Sequence, residues 1–171
     1  MLLREHSVPM VERGALSPPM DINGVTIEFL HPPPGVNFSA NNGSLTLRLT
    51  YGTVSILFPG DVEEDGEREI VGAYRGRDLK GSVLKVPHHG SRTSSTAPFL
   101  NAVQPAVAIF SVGRNNPFGF PHPEVVERYR AAGTVTYRTD RDGAVEVGTD
   151  GETIEVEGFR HKRPSLFPPH H

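Results

Sequence analysis

Two short runs place ionisable side chains directly after apolar strands: Leu57-Phe58-Pro59-Gly60-Asp61 and Lys85-Val86-Pro87-His88-His89-Gly90-Ser91. Side chains at strand ends are positioned by the sheet yet stay open to solvent. A carboxylate and a neutral imidazole from neighbouring strand ends can share a divalent cation, provided the second ring nitrogen finds its own partner. The chain has no Cys. That excludes thiolate metal sites, disulfides and cysteine nucleophiles, and leaves His, Asp, Glu or Asn to hold any metal. A Gly-Asp pair after a strand is also an ordinary turn. The adjacent histidines are harder to explain as core, because neighbouring side chains point in different directions.

A third polar cluster, Asn115-Asn116 and His122, follows a strand ending at Ser111. It is consistent with the same rim of the sheet, although Asn forms turns readily and His122 could simply cap the helix that starts at Pro123. The run Ser91-Arg92-Thr93-Ser94-Ser95-Thr96 offers hydroxyls, a guanidinium and backbone donors, a cradle suited to a phosphate oxygen. With Lys85 and Arg114, Arg92 would form a local basic patch on an otherwise acidic chain. Lys plus Arg number 17 against 20 Asp plus Glu, a net charge of -3, so no whole-surface electrostatic grip on nucleic acid is indicated. His31, before three prolines, reads as a rim residue rather than a ligand. His6, His161, His170 and His171 lie in weakly patterned ends and receive no role.

The elements that would position these groups are strands and turns with few helices, as 18 Gly and 16 Pro suggest. Val25 to Leu30 alternates as a strand and stops at His31-Pro32-Pro33-Pro34. Leu45, Leu47 and Leu49 alternate with polar residues, Tyr51-Gly52 turns, and Val54 to Phe58 is apolar on both faces, the mark of a central strand. A helix is expected from Glu63 towards Tyr74, a buried strand at Val83 to Val86, a short helix over Ser94 to Val103 and a strand over Ala106 to Ser111. The best helix is Pro123 to Ala132, with Pro in its first turn and Gly133 to end it. Strands near Thr134 to Arg138 and Ala144 to Val147 would be joined through Asp142-Gly143, with another at Thr153 to Val156. The reading is an irregular lead-in over 1–21, a domain over 22–157 and a flexible tail over 158–171. At 171 residues there is room for one core, not two, and no 18-residue apolar run exists, so the chain reads as a soluble segment.

The order of these pieces resembles a known family. Asn41-Asn42-Gly43-Ser44-Leu45, the alternating leucines and Phe58-Pro59-Gly60-Asp61 are similar to the metallo-β-lactamase fold. More narrowly they resemble the β-lactamase-like domain of the ComEC competence (DNA uptake) proteins. Leu84 to Ser91 with Thr93-Ser94-Ser95, Ser111-Val112-Gly113 with Asn115-Asn116, Pro121-His122-Pro123-Glu124-Val125, and Tyr137-Arg138-Thr139-Asp140 with Gly143 carry the rest, over roughly residues 22 to 147. The resemblance implies an α/β fold, a partial αββα sandwich made mainly of its C-terminal half. It implies a metal-dependent phosphodiesterase or nuclease acting on DNA, single-stranded or one strand of a duplex, with zinc or manganese as cofactor. Asp61 and His89 would be metal ligands. Asp61, His88, Ser91 and His122 would serve the chemistry, and Lys85, Arg92, Ser111 and Asn115 would contact substrate. Asn42 and Ser44 match a loop that carries a His ligand in many fold members, leaving at most an oxygen donor here. The full-length family protein would sit in the bacterial inner membrane.

The sequence also departs from the family pattern. The fold's main metal signature, His-x-His-x-Asp-His, does not occur among the eight histidines. The expectation is therefore that the chain is inactive alone, holds no metal stably, and needs an N-terminal half carrying that signature and one of the two packed sheets. Without that half, the Val54 to Phe58 strand would expose an apolar face. The alternative is a non-catalytic fragment that binds nucleic acid or a partner through Lys85, Arg92 and Arg114.

Overall fold

The alternating and doubly apolar runs assemble as strands of one sheet in a computed structural model that describes residues 18–38, 40–75 and 78–167. Strands β1 (Met20–Ile22), β2 (Val25–His31), β3 (Thr46–Tyr51) and β4 (Val54–Phe58) pair antiparallel in sequence order. From β4 onward the chain changes habit. Helix α1 (Glu64–Ala73) leads to β5 (Val83–Lys85), α2 (Ala97–Val103) to β6 (Val107–Phe110), and α3 (Pro123–Ala131) to β7 (Val135–Arg138). These strands pair parallel, again in sequence order, completing a seven-stranded sheet. Successive crossovers of one hand put all three helices on one face. There Ile70, Phe99, Leu100, Val103, Val125 and Tyr129 join Leu57, Leu84, Ala108 and Phe110 in the larger core cluster.

The register aligns Leu57, Leu84, Ala108 and Thr136 across β4 to β7, so these strands end at a common rim. Ligands of open α/β sheets bind outside such carboxyl ends. The segments after Phe58, Lys85 and Phe110 are the ones that hold the sequence-predicted site.

A single helical turn, α4 (Thr139–Asp142), and Gly143 lead the chain out of β7. Strands β7 and β8 (Val145–Thr149) therefore do not form a hairpin. Instead β8 joins β9 (Ile154–Gly158) and β10 (His161–Phe167) in a second, antiparallel sheet ordered β10-β9-β8. Ile154 and Val156 pack against Val54, Val83 and Val107 of the large sheet. The layers are thus helices, seven-stranded sheet, three-stranded sheet.

The structure corrects three expectations. A second packed sheet is present within this chain, and β4 is covered on both faces: Val54 and Leu57 are buried. Exposed apolar side chains include Met20 and Ile22 on the β1 edge and Phe58 at the very end of β4. The tail is not irregular from 158, because β10 pairs with β9 through Phe167 opposite Ile154. Its register shifts between His161 and Ser165, around Pro164, and a proline on an edge strand is tolerated at such an irregularity. Residues 1–17 of the lead-in, and the last four residues of the tail, lie outside the described residues, while β1 begins inside the lead-in at Met20. Among the described residues no helix is long and apolar enough to cross a membrane.

Candidate functional site

Asp61 stands in the turn after β4. Gly60 adopts φ +68°, and a Cβ there would lie 2.7 Å from Ser44 Cβ, so the turn requires glycine. Ser44 Oγ accepts a hydrogen bond from Asp61 N at 3.1 Å, and Thr46 Oγ1 donates to Pro59 O at 3.1 Å. Asn42, matched to a ligand loop by resemblance, has another task. Its Oδ1 accepts from Glu63 N (3.0 Å) and Gly66 N (2.9 Å), capping α1 from a distant loop. His31 is not on the rim: it is buried, with Nε2 2.7 Å from Asn42 O and its ring against Phe38.

The histidine pair lies in a tight turn, Pro87–Gly90, where both residues take left-handed backbone angles: His88 at φ 45° and His89 at φ 55°. This region is costly for a residue with a Cβ, and such outliers concentrate at functional sites. The turn is over-determined. His88 N donates to Gly60 O (3.1 Å), Ser94 Oγ to Pro87 O (3.0 Å) and His122 N to Gly90 O (3.0 Å). Gly90, at φ +85°, has no room for a Cβ, which would sit 2.7 Å from Pro121 Cβ.

The outcome is a defined imidazole. His89 Nδ1 lies 2.6 Å from the Ser111 carbonyl oxygen, which can only accept, so Nδ1 carries the proton. Nε2 lies 3.5 Å from Asp61 Oδ1, and in the neutral imidazole it is the nitrogen that keeps a lone pair for a cation. Asp61 also meets Lys85 Nζ at 3.6 Å, and that ammonium donates to Gly60 O at 3.3 Å. Burial holds the Lys85 amine below its ordinary range, against the opposing pull of Asp61. His88 turns towards Glu63, with Nδ1 3.3 Å from Oε1, but the approach is too bent for a hydrogen bond and Nδ1 is buried without one.

Asp61, His88 and His89 open into a cavity of about 410 Å³, whose far wall is Ser111 to Gly113 with Asn116, Phe118 and Phe120. Thr139 Oγ1 receives Val112 N at 2.8 Å, fixing that wall where β6 ends. Of the residues read as metal-binding, catalytic or substrate-contacting, Asp61, His88, His89 and Ser111 line this cavity. Lys85 borders it through Asp61. Asn115 is exposed and does not line it; its neighbour Asn116 does. His122 flanks the cavity, its ring edge-on to Phe120 at 5.3 Å. Ser91 is buried, its Oγ 3.0 Å from Thr93 Oγ1.

The proposed phosphate cradle is already filled. The buried carboxylate of Glu67 accepts hydrogen bonds from Ser95 N and from Thr96 N, the latter at 2.8 Å. The Ser95 and Ser94 hydroxyls are likewise engaged internally, Ser95 with Tyr129 Oη at 2.9 Å. The basic patch is also partly neutralised, because Arg92 pairs with Glu124 and Lys85 with Asp61. Reading the sequence alone missed Glu63, Glu67, Phe118 and Phe120. Asn116 and Thr139 stood in the quoted motifs, but neither was given the role its hydrogen bonds show here.

The sequence model of the metallo-beta-lactamase superfamily matches residues 4–114. The chain belongs to the metallo-beta-lactamase superfamily. Within it, the chain is 39% identical over 138 residues to Competence protein ComA of Neisseria gonorrhoeae, covering 81% of this chain and 20% of that protein. It is 34% identical over 145 residues to ComE operon protein 3 of Bacillus subtilis, covering 84% and 18%. It is 35% identical over 139 residues to Recombination protein 2 of Haemophilus influenzae, covering 81% and 17%. The chain therefore spans about a fifth of the length of the curated relatives it matches.

Metallo-beta-lactamase superfamily proteins typically bind divalent metals, and the donors in this chain can be tested against that. His89 Nε2 and Asp61 Oδ1 have suitable chemistry and converge. Catalytic sites of this kind hold at least three protein ligands. Among the described residues no group of three or more His, Asp or Glu converges. The donor set fits part of a metal site and does not fit a complete one.

Proposed function

We propose that this chain contributes one wall of a metal-dependent phosphodiesterase centre acting on DNA, as part of a ComEC-type DNA-uptake protein. In this reading Asp61 and His89 are two of the ligands of a divalent cation, zinc or manganese, and a different polypeptide segment supplies the other ligands. The observation that carries it is the orientation of His89: Nδ1 is held 2.6 Å from the Ser111 carbonyl oxygen, which turns Nε2 towards Asp61 Oδ1 at 3.5 Å. A histidine whose only task was packing would not need this orientation together with a left-handed backbone. The names of the relatives, competence and recombination proteins, support a nucleic-acid substrate. The alternative, a non-catalytic fragment gripping through Lys85, Arg92 and Arg114, gains no support from a patch in which two cations are already paired.

Titration calorimetry of the chain with Zn²⁺ and with Mn²⁺ tests the ligand assignment. Weak binding that disappears in both Asp61→Ala and His89→Ala is the expected result. Binding that survives both substitutions would remove these residues from the metal site.

A further inference from the structure

We propose that Phe118 and Phe120 form a stacking platform for one unpaired nucleobase, directly beside the Asp61–His89 corner. The proposal deepens the phosphodiesterase reading and rests on it. The two rings stack with centroids 5.6 Å apart and planes inclined by 21°. Phe120 covers one face of Phe118, yet Phe118 is 70% exposed, which leaves its other face to solvent. Both rings line the cavity that contains Asp61, His88 and His89.

The loop that carries the platform is braced at Phe120. Asn116 Nδ2 donates to Phe120 O (2.8 Å) and to Gly113 O (3.0 Å), and Asn116 Oδ1 accepts from Phe120 N (2.9 Å). The Phe120 ring is held edge-on between His88 at 5.7 Å and His122 at 5.3 Å. The bare face of Phe118, on this braced loop, has no part in either core cluster. Aromatic rings beside a phosphate-handling site suit a planar base, and base–aromatic stacking is tolerant of base identity. In a duplex both faces of each base are already stacked, so the ligand is a single strand.

The test uses the 171-residue chain with chelator present and compares a labelled oligothymidylate with an abasic oligonucleotide of equal phosphate count, by fluorescence anisotropy at one low salt concentration. The base-bearing strand should bind about tenfold tighter, and Phe118→Ala should abolish that difference while leaving the abasic affinity unchanged. The chain has no Trp, so Phe118→Trp adds a single reporter whose emission the base-bearing strand should quench and the abasic strand should not. Equal affinity for the two strands with an unquenched reporter would overturn the platform and leave phosphate binding standing, as would a base preference that survives Phe118→Ala. No affinity for either strand would overturn the phosphodiester reading and the platform with it.

Discussion

Asp61 and His89 owe their placement to residues that are not themselves reactive. Gly60 and Gly90 allow the turns, Ser44 holds the Asp61 amide, and the Ser111 carbonyl selects the His89 tautomer. Asn42 shows how a single amide supports the site from behind. Its replacement by Ala strands the Glu63 and Gly66 amides at the start of α1 and should cost about 1–3 kcal/mol, read as a fall in the urea midpoint. An unchanged midpoint would mean water takes over the cap. Gly90→Ala should be worse than Asn42→Ala, because the added methyl collides with Pro121 in a backbone region that disfavours it. At this scale the strand-end placement of Asp61 and His89 was legible, since both residues closely follow apolar runs. The cap was not, because Asn42 and its acceptor-seeking amides lie 21 to 24 positions apart in the chain.

Among the elements, the segment between β5 and α2 is organised by Glu67 of α1. Its carboxylate takes the Ser95 and Thr96 amides that a free helix start would offer to a ligand, and α2 accordingly begins at Ala97 rather than Ser94. Glu67→Ala should destabilise the chain by about 3 kcal/mol, since it leaves two amides without an acceptor beside a buried Tyr129–Ser95 pair. Burial holds the Glu67 carboxyl above its ordinary range, against the hydrogen bonds from Thr96 and Ser95 and the nearby Arg128 charge. A carboxyl raised in the folded state keeps its proton after the unfolded state has lost one. Its contribution is therefore complete below the ordinary glutamate range and is lost as pH rises through the raised folded value. Thermal midpoints of the wild type, compared with Glu67→Gln across that window, should fall relative to the variant as pH rises. A constant difference would show that Glu67 titrates normally. The helices and central strands were readable from periodicity and caps. The β10 strand was not, because Pro164 reads as a breaker and the strand survives only as an irregular edge.

At the scale of the whole molecule, the chain builds both sheets of a sandwich, one face of helices and a rim with two converging metal-type donors. The second sheet could not be read beforehand. Asp142-Gly143 looked like a hairpin turn, and its dispatch of β8 to another sheet is decided by packing of Val147, Ile154 and Val156 on the large sheet. The strand-end placement of the two donors was legible because each closely follows an apolar run, whereas their convergence depends on the parallel register of β4 and β5. The direct test is cleavage of a labelled single-stranded oligonucleotide with Mn²⁺ or Zn²⁺, by the chain alone and after mixing with a polypeptide that carries the His-x-His-x-Asp-His run. The account predicts no cleavage by the chain alone, and cleavage by the mixture that is lost with Asp61→Ala. Metal-dependent cleavage by the chain alone, abolished by Asp61→Ala, would contradict it.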